Sequence, residues 1–172
     1  MLKKIVVIGP ESTGKSTLCR QLAEHYNTLW VPEYARNYLL EHGTDYSFEN
    51  LLDIAKGQIE LEELISKQAS GHLFVDTDMH VMKVWCEFVF GKVHPWIIGQ
   101  LKERKYNLYL LCNIDLPWVQ DQLREYPDLQ TRELLFNKYR HQLEEQETPW
   151  VIINGDYNER LRNAIEAVDS LK

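Results

Sequence analysis

Long apolar runs are missing from this 172-residue chain. None approaches the ~20 residues that a helix needs to cross a bilayer. Met1-Leu2-Lys3-Lys4 is followed by only four apolar residues before Gly9, too few for the apolar core of a secretory signal. A soluble, cytoplasmic protein is expected. Cysteine is scarce too. Cys19, Cys86 and Cys112 stand far apart in apolar stretches, with no CxxC pair. That pattern suits small buried thiols in a reducing compartment and offers neither a disulfide framework nor a zinc site. The histidines, His25, His42, His72, His80, His94 and His141, show no metal-ligand spacing either. Excess positive charge is absent, the formal net charge being -7. This argues against a non-specific nucleic-acid binder, which needs a basic face, but leaves room for a local basic pocket. No repeat and no low-complexity linker divides the chain. What remains is 44% hydrophobic and 26% charged, ordinary globular material. The length suits one domain over residues 1–172 with a single core.

Short apolar runs alternate with longer helical patterns. Strands are predicted over residues 5–8, 28–31, 72–75, 108–112 and 150–153, from short β-branched or aromatic runs. Helices are predicted over 15–26, 33–42, 48–69, 79–90, 96–105, 131–146 and 159–171, with Gly43 as a stop for the second. In the long 48–69 helix, Phe48, Leu51, Leu52, Ala55, Ile59 and Ile65 recur at helical spacing, and Glu60, Glu62 and Glu63 read as a solvated face. Strands alternating with helices imply right-handed βαβ crossovers, hence an α/β fold of three layers around a parallel five-stranded sheet. Ligands of such sheets sit beyond the carboxyl ends of the strands. The polar residues after each strand should therefore converge on one crevice.

The first of these segments is Gly9-Pro10-Glu11-Ser12-Thr13-Gly14-Lys15-Ser16-Thr17. It matches the GxxxxGK[ST] phosphate loop in the strand–loop–helix context that the pattern requires. Glycines let successive N–H groups curl around an oxyanion, and the following helix adds its N-terminal dipole. Lys15 would place charge on the β and γ phosphates, and Ser16 would offer a hydroxyl to Mg²⁺. ATP with Mg²⁺ is the expected cofactor, held by Gly9, Glu11, Ser12, Thr13, Gly14, Lys15, Ser16 and Thr17.

Acids follow the next two strands. Asp76 stands where a metal-holding carboxylate is expected, and Thr77 or Asp78 would cap the next helix or meet an acceptor substrate. Glu33, in Pro32-Glu33-Tyr34-Ala35-Arg36, could take the proton of an attacking hydroxyl. Arg36, one turn on, would touch phosphate or pin Glu33; an exposed ion pair is the alternative. Residues 115–132, polar and carrying Pro117 and Pro127, read as a mobile lid whose Arg124 and Arg132 reach the triphosphate. Exposed arginines on a plain loop are the alternative. Asn154-Gly155-Asp156 ends the last strand, either beside a purine or as a simple turn with a cap. Trp85 and Trp118 could stack on an aromatic base, though a tryptophan on an apolar helix also suits the core.

The function classes now separate. A switch GTPase would carry an NKxD signal, and Asn113-Ile114-Asp115 lacks its lysine. A small-molecule kinase needs only core, lid and acceptor pocket. A nucleoside or nucleotide kinase fits, and a nucleotide-binding regulatory ATPase without turnover is the alternative from another class. The phosphate loop, the Pro32-Glu33-Tyr34-Ala35-Arg36 segment, Asp76-Thr77-Asp78, and Asp115-Leu116-Pro117-Trp118 with Asp121 and Arg124 resemble the ribosylnicotinamide kinase domain of the bacterial NadR proteins, over nearly the whole chain. The resemblance implies a nucleoside-kinase-like phosphate-loop fold. It also implies ATP-dependent phosphorylation of the 5′-hydroxyl of nicotinamide riboside, giving nicotinamide mononucleotide. On this reading Lys15, Glu33, Arg36, Asp78 and Arg124 serve catalysis, and Arg124, Arg132 and Asn154 join the loop in holding ATP. Glu33, Tyr34, Arg36, Asp78, Trp85 and Trp118 meet the nucleoside, and Ser16 and Asp76 hold Mg²⁺.

Overall fold

All five strands run parallel, because every connection between successive strands passes through at least one helix that returns the chain to the same end of the sheet. The computed structural model describes residues 1–171. In chain order the elements are β1 (Lys3–Ile8), α1 (Lys15–His25), β2 (Leu29–Val31), α2 (Tyr34–His42), α3 (Phe48–Ser66) and β3 (His72–Asp76). Then come α4 (Met79–Phe90), α5 (Pro95–Glu103), β4 (Leu108–Cys112), α6 (Leu129–Glu144), β5 (Trp150–Ile153) and α7 (Tyr157–Asp169). The sheet order is β2-β3-β1-β4-β5. Val7 of β1 is flanked by Asp76 on one side and Leu110 on the other, so the crevice opens beyond the carboxyl end of β1.

Alternation along the strands divides the core. Ile5, Val7, Phe74, Leu110 and Cys112 face α1 and α7, packing on Leu18, Leu22, Ala164 and Val168. Val6, Ile8, Val75, Tyr109 and Leu111 face the other layer, on Val84, Leu135 and Leu143. A third cluster, with Leu51, Ile54, Met82 and Ile97, binds α2, α3, α4 and α5 into a helical wall beside the sheet. The three-layer α/β fold expected from the alternation is the one observed.

Two local expectations are corrected. Glu62 is not on a solvated face: it is 1% exposed, with Lys4 Nζ at 2.8 Å, Arg104 Nη1 at 3.2 Å and the Tyr106 hydroxyl at 2.8 Å. A buried carboxylate survives only with such partners, and they come from β1 and the α5–β4 connection, far away in sequence. Helix α3 also stops at Ser66 rather than near residue 69. Among the described residues no helix is long and apolar enough to cross a membrane.

Candidate active site

The phosphate loop takes its shape from backbone only some residues tolerate. Gly9 has φ 148°, and a Cβ there would lie 2.7 Å from the Cys112 carbonyl oxygen. Gly14, at φ 77°, caps α1, and Ser12 holds φ 55°. Lys15 Nζ donates to the Pro10 carbonyl at 2.9 Å, as does Thr13 Oγ1 at 2.8 Å. Beneath the loop lies Arg160 of α7, 2% exposed. It donates to the carbonyls of Thr13 (2.9 Å), Gly155 (2.7 Å) and Asn113 (3.0 Å), and pairs with Asp115. The polar residues after β4 and β5 are thus spent on holding the loop. Asn154 bonds to Asn113 at 2.8 Å, and Asp156 caps α7.

Asp76 closes β3 with no exposed surface, and Ser16 Oγ donates to its Oδ2 at 2.5 Å. Burial first, and the charge of Glu33 second, push its carboxyl up to about 7, against the opposing pull of Lys15, Ser16 and Thr77. Thr77 then adopts φ 79°, costly for a β-branched residue. This turn sends Asp76 toward the loop and Asp78 into the helix start. Asp78 caps α4 through the His80 N–H at 2.9 Å, and its Oδ2 meets His80 Nδ1 and the Tyr109 hydroxyl, each at 2.9 Å. It is 1% exposed and lies outside the cavity lining, so of its two expected roles the structure shows the helix cap.

The segment between β4 and α6 lies against the loop. The Val119 N–H donates to Ser12 Oγ at 2.9 Å, and the N–H groups of Glu125 and Tyr126 donate to Glu11 Oε2 at 3.0 and 3.1 Å. Burial raises the Glu11 carboxyl, an effect those two N–H groups oppose. Glu11 therefore anchors this segment rather than facing the phosphate position. Arg36 does not pin Glu33; its guanidinium meets Asp121 at 3.1 Å, and Arg124 approaches the same carboxylate at 3.4 Å. Arg132 is on α6 and 5% exposed, 3.4 Å from the Ser12 carbonyl and 5.5 Å from the Trp118 ring.

One cavity of about 460 Å³ joins these parts, within the range of small-ligand sites. Its lining combines residues 9–17 with Glu33, Arg36, Asp121 and Arg124. Tyr46, Val84, Trp85, Phe88, Glu125 and Tyr126 add an aromatic chamber to the same cavity. There the Trp85 indole N–H donates to the Tyr46 hydroxyl at 2.9 Å, and that hydroxyl donates to Glu125 at 3.0 Å.

The sequence profile of the AAA domain family matches residues 4–160. The chain belongs to this family. The trifunctional NAD biosynthesis/regulator protein NadR of Escherichia coli K12 is 30% identical over 172 residues, covering 97% of this chain and 42% of that protein. The chain spans less than half the length of this relative. A solved NadR protein in complex with NR superposes with a TM-score of 0.82 at 25% identity, over 98% of this chain and 50% of that one. A NadR protein in complex with NAD and AMP-PNP gives 0.77 at 25% identity, over 98% and 49%. A thymidylate kinase from Ehrlichia chaffeensis, at 13% identity, shares the fold with a TM-score of 0.70 over 97% and 98%.

Of the residues singled out from this family member's sequence, the structure gathers residues 9–17, Glu33, Arg36, Trp85 and Arg124 around one cavity. Tyr34, Asp76, Asp78, Trp118, Arg132 and Asn154 fall outside its lining, Asp76 lying behind Ser16, which is in it. Tyr34 packs its ring against Gly57, where a Cβ would come within 2.2 Å of it. Trp118 bonds to Gln120 and covers Arg132. Tyr46, Glu125 and Tyr126 were missed: nothing local marks them, because each reaches the chamber from a loop. A hard cation such as Mg²⁺ takes oxygen ligands. The Ser16 hydroxyl and the buried Asp76 carboxylate, in contact at the loop's end, fit that requirement.

Proposed function

We propose that this chain transfers the γ-phosphoryl group of ATP to the 5′-hydroxyl of nicotinamide riboside, giving nicotinamide mononucleotide and ADP. The observation that carries this reading is the continuity of the cavity. The phosphate loop, Glu33 and two arginines line the same cavity as Tyr46, Trp85, Phe88 and Tyr126 beside Glu125. Nicotinamide riboside bears a cationic, planar ring, which aromatic faces and a carboxylate suit. The likeness to a NadR protein in complex with NR, and to one with AMP-PNP, supports the same choice.

In this proposal residues 9–17 cradle the triphosphate, with Lys15 on its terminal phosphates. Ser16 and Asp76 would hold Mg²⁺, which would offset negative charge on the phosphates. Glu33 orients the 5′-hydroxyl and takes its proton as the new P–O bond forms and the bond to the β-phosphate oxygen breaks. Arg36 and Arg124, held in waiting by Asp121, offset charge on the transferring group. Arg132 lies behind the loop's crown and contributes field rather than contact. Residues 115–132 act as the lid of a single domain, working in the cytoplasm on small molecules alone.

Incubation with ATP, Mg²⁺ and a panel of nucleosides tests the reading. Phosphorylation of nicotinamide riboside should exceed that of neutral nucleosides. ATP binding with no acceptor phosphorylated would reduce the chain to a nucleotide-sensing regulator. Glu33→Gln should slow turnover by about a hundredfold while leaving ATP affinity intact; an unchanged rate removes Glu33 as the base.

A further inference from the structure

Helix α3 sends one polar side chain into the dry wall beneath the cavity. Gln58 is 2% exposed, and a buried amide is costly unless its donors and acceptor are used. Its Oε1 accepts from the Tyr34 backbone N–H at 2.8 Å. Its Nε2 faces the carbonyl oxygens of Pro32 and Asp76, each at 3.5 Å. The orientation is unambiguous, because one side offers only a donor and the other only acceptors. The next residue back, Gly57, lets the Tyr34 ring lie directly on α3.

These contacts enclose Glu33. The residue before it and the residue after it are both held by one amide, which also holds the last residue of β3. Glu33 is the N-cap of α2, with φ -65° and ψ 111°, yet its side chain makes no capping bond. Its carboxylate is thus left for the cavity, while its backbone is clamped on either side. Strand β2 ends at Val31, paired with Val75, while the adjacent β3 runs one residue further and pairs Asp76 with Val7 of β1. Glu33 lies beyond the last β2 pair, so no strand pairing holds it relative to Asp76. Gln58 spans the gap.

We infer that Gln58 is a positioning residue, which sets the proposed base Glu33 against the proposed metal carboxylate Asp76; the inference rests on the function proposed above. It touches neither substrate nor phosphate, and acts through the backbone on both sides of Glu33. Small misplacements of a reacting group cost rate far more than they cost binding.

A mutant cycle in the full chain tests this, with Gln58→Met, Glu33→Gln and the double variant assayed for kcat, for KM of ATP and of nicotinamide riboside, and for melting temperature. Gln58→Met, similar in volume but unable to hydrogen-bond, should lower kcat about 30-fold and leave the KM for ATP within about threefold. In the Glu33→Gln background the same change should cost less than about threefold, because its target is already gone. Should Gln58→Met not fold, Gln58→Glu, which keeps the acceptor for the Tyr34 N–H, goes through the same cycle under the same criteria. A folded variant with wild-type kcat overturns the inference. So does a loss of equal size in both backgrounds, which marks a merely structural glutamine. Glu33→Gln turning over at the wild-type rate is a different failure: it overturns the base itself, and this inference with it.

Discussion

Replacing Asp76 with asparagine should stabilise the ligand-free protein at alkaline pH while abolishing phosphoryl transfer. Asp76 has no exposed surface, and its carboxyl is pushed from the ordinary 3.8 up to about 7, chiefly by burial and then by Glu33. A folded-state value above the unfolded one means that the folded protein holds the proton more tightly. The associated stability is fully present below about pH 4 and is lost as pH rises through about 7. The whole displacement, from 3.8 to about 7, corresponds to about 4 kcal/mol. Between about pH 5 and pH 8 the wild type should lose more than half of it, whereas asparagine has no proton to lose. The amide still accepts from Ser16, so the local hydrogen bonding survives. Urea denaturation followed by tryptophan fluorescence, without Mg²⁺ or nucleotide, measures the difference. The gap between variant and wild type should widen from the lower pH to the higher. A gap of the same size at both would refute the argument that burial of Asp76 outweighs the pull of Lys15, Ser16 and Thr77. Added Mg²⁺ and ATP should then raise the stability of the wild type and not that of the variant.

Three further outcomes are expected. Arg160→Met removes the donor shared by the Thr13, Gly155 and Asn113 carbonyls and leaves Asp115 with only the Gly155 N–H. It should cost about 3–5 kcal/mol in denaturant unfolding and weaken ATP binding, and Arg160→Lys should not rescue either, since one ammonium cannot serve that fork. Glu11→Ala strips the acceptor from the Glu125 and Tyr126 N–H groups. At about 1 kcal/mol for each partly exposed bond, limited proteolysis within residues 115–128 should speed up several-fold in the free protein. Trp85→Ala opens the aromatic chamber and should raise the KM for nicotinamide riboside by about 5- to 30-fold. The KM for ATP should stay near the wild-type value, and equal losses for both substrates would remove Trp85 from the acceptor site.

Periodicity and loop chemistry made much of the fold readable. The helix at Met79–Phe90 and the strands at Leu108–Cys112 and Trp150–Ile153 start and stop where the apolar pattern does. The parallel sheet follows from the alternation of elements, and the crevice follows from the sheet. Side chains whose partners are distant were another matter. Arg160 looks like one more charge on an amphipathic helix, and its contact with Thr13 is 147 residues away in sequence. Glu62 reads as a surface acid in the sequence because its partners, Lys4, Arg104 and Tyr106, belong to other elements. Arg36 pairs with Asp121, 85 residues on, rather than with Glu33, three residues back. In each case the spacing within the helix was compatible with both outcomes, and tertiary packing decided.

The loop's two ends carry unmatched charge of opposite sign. Asp76 is buried against Ser16 at the helix end. Arg132 is buried against the Ser12 carbonyl at the crown, with no carboxylate within 4.0 Å and no hydrogen-bond partner for its Nε among the described residues. Burial lowers the pKa of that guanidinium, as burial raises that of Asp76, and neither shift is relieved by the other. A protein selected only for stability would place such groups in contact or replace them with apolar ones. Held apart, they match a ligand that is itself divided into a divalent cation and a polyanion. The ligand-free structure is therefore less stable than its core permits, and a metal–triphosphate bound as proposed above should recover the difference. A rise in stability on adding Mg²⁺ and ATP separates a site from the mere by-product of a tight strand-to-helix turn; no rise would leave the by-product.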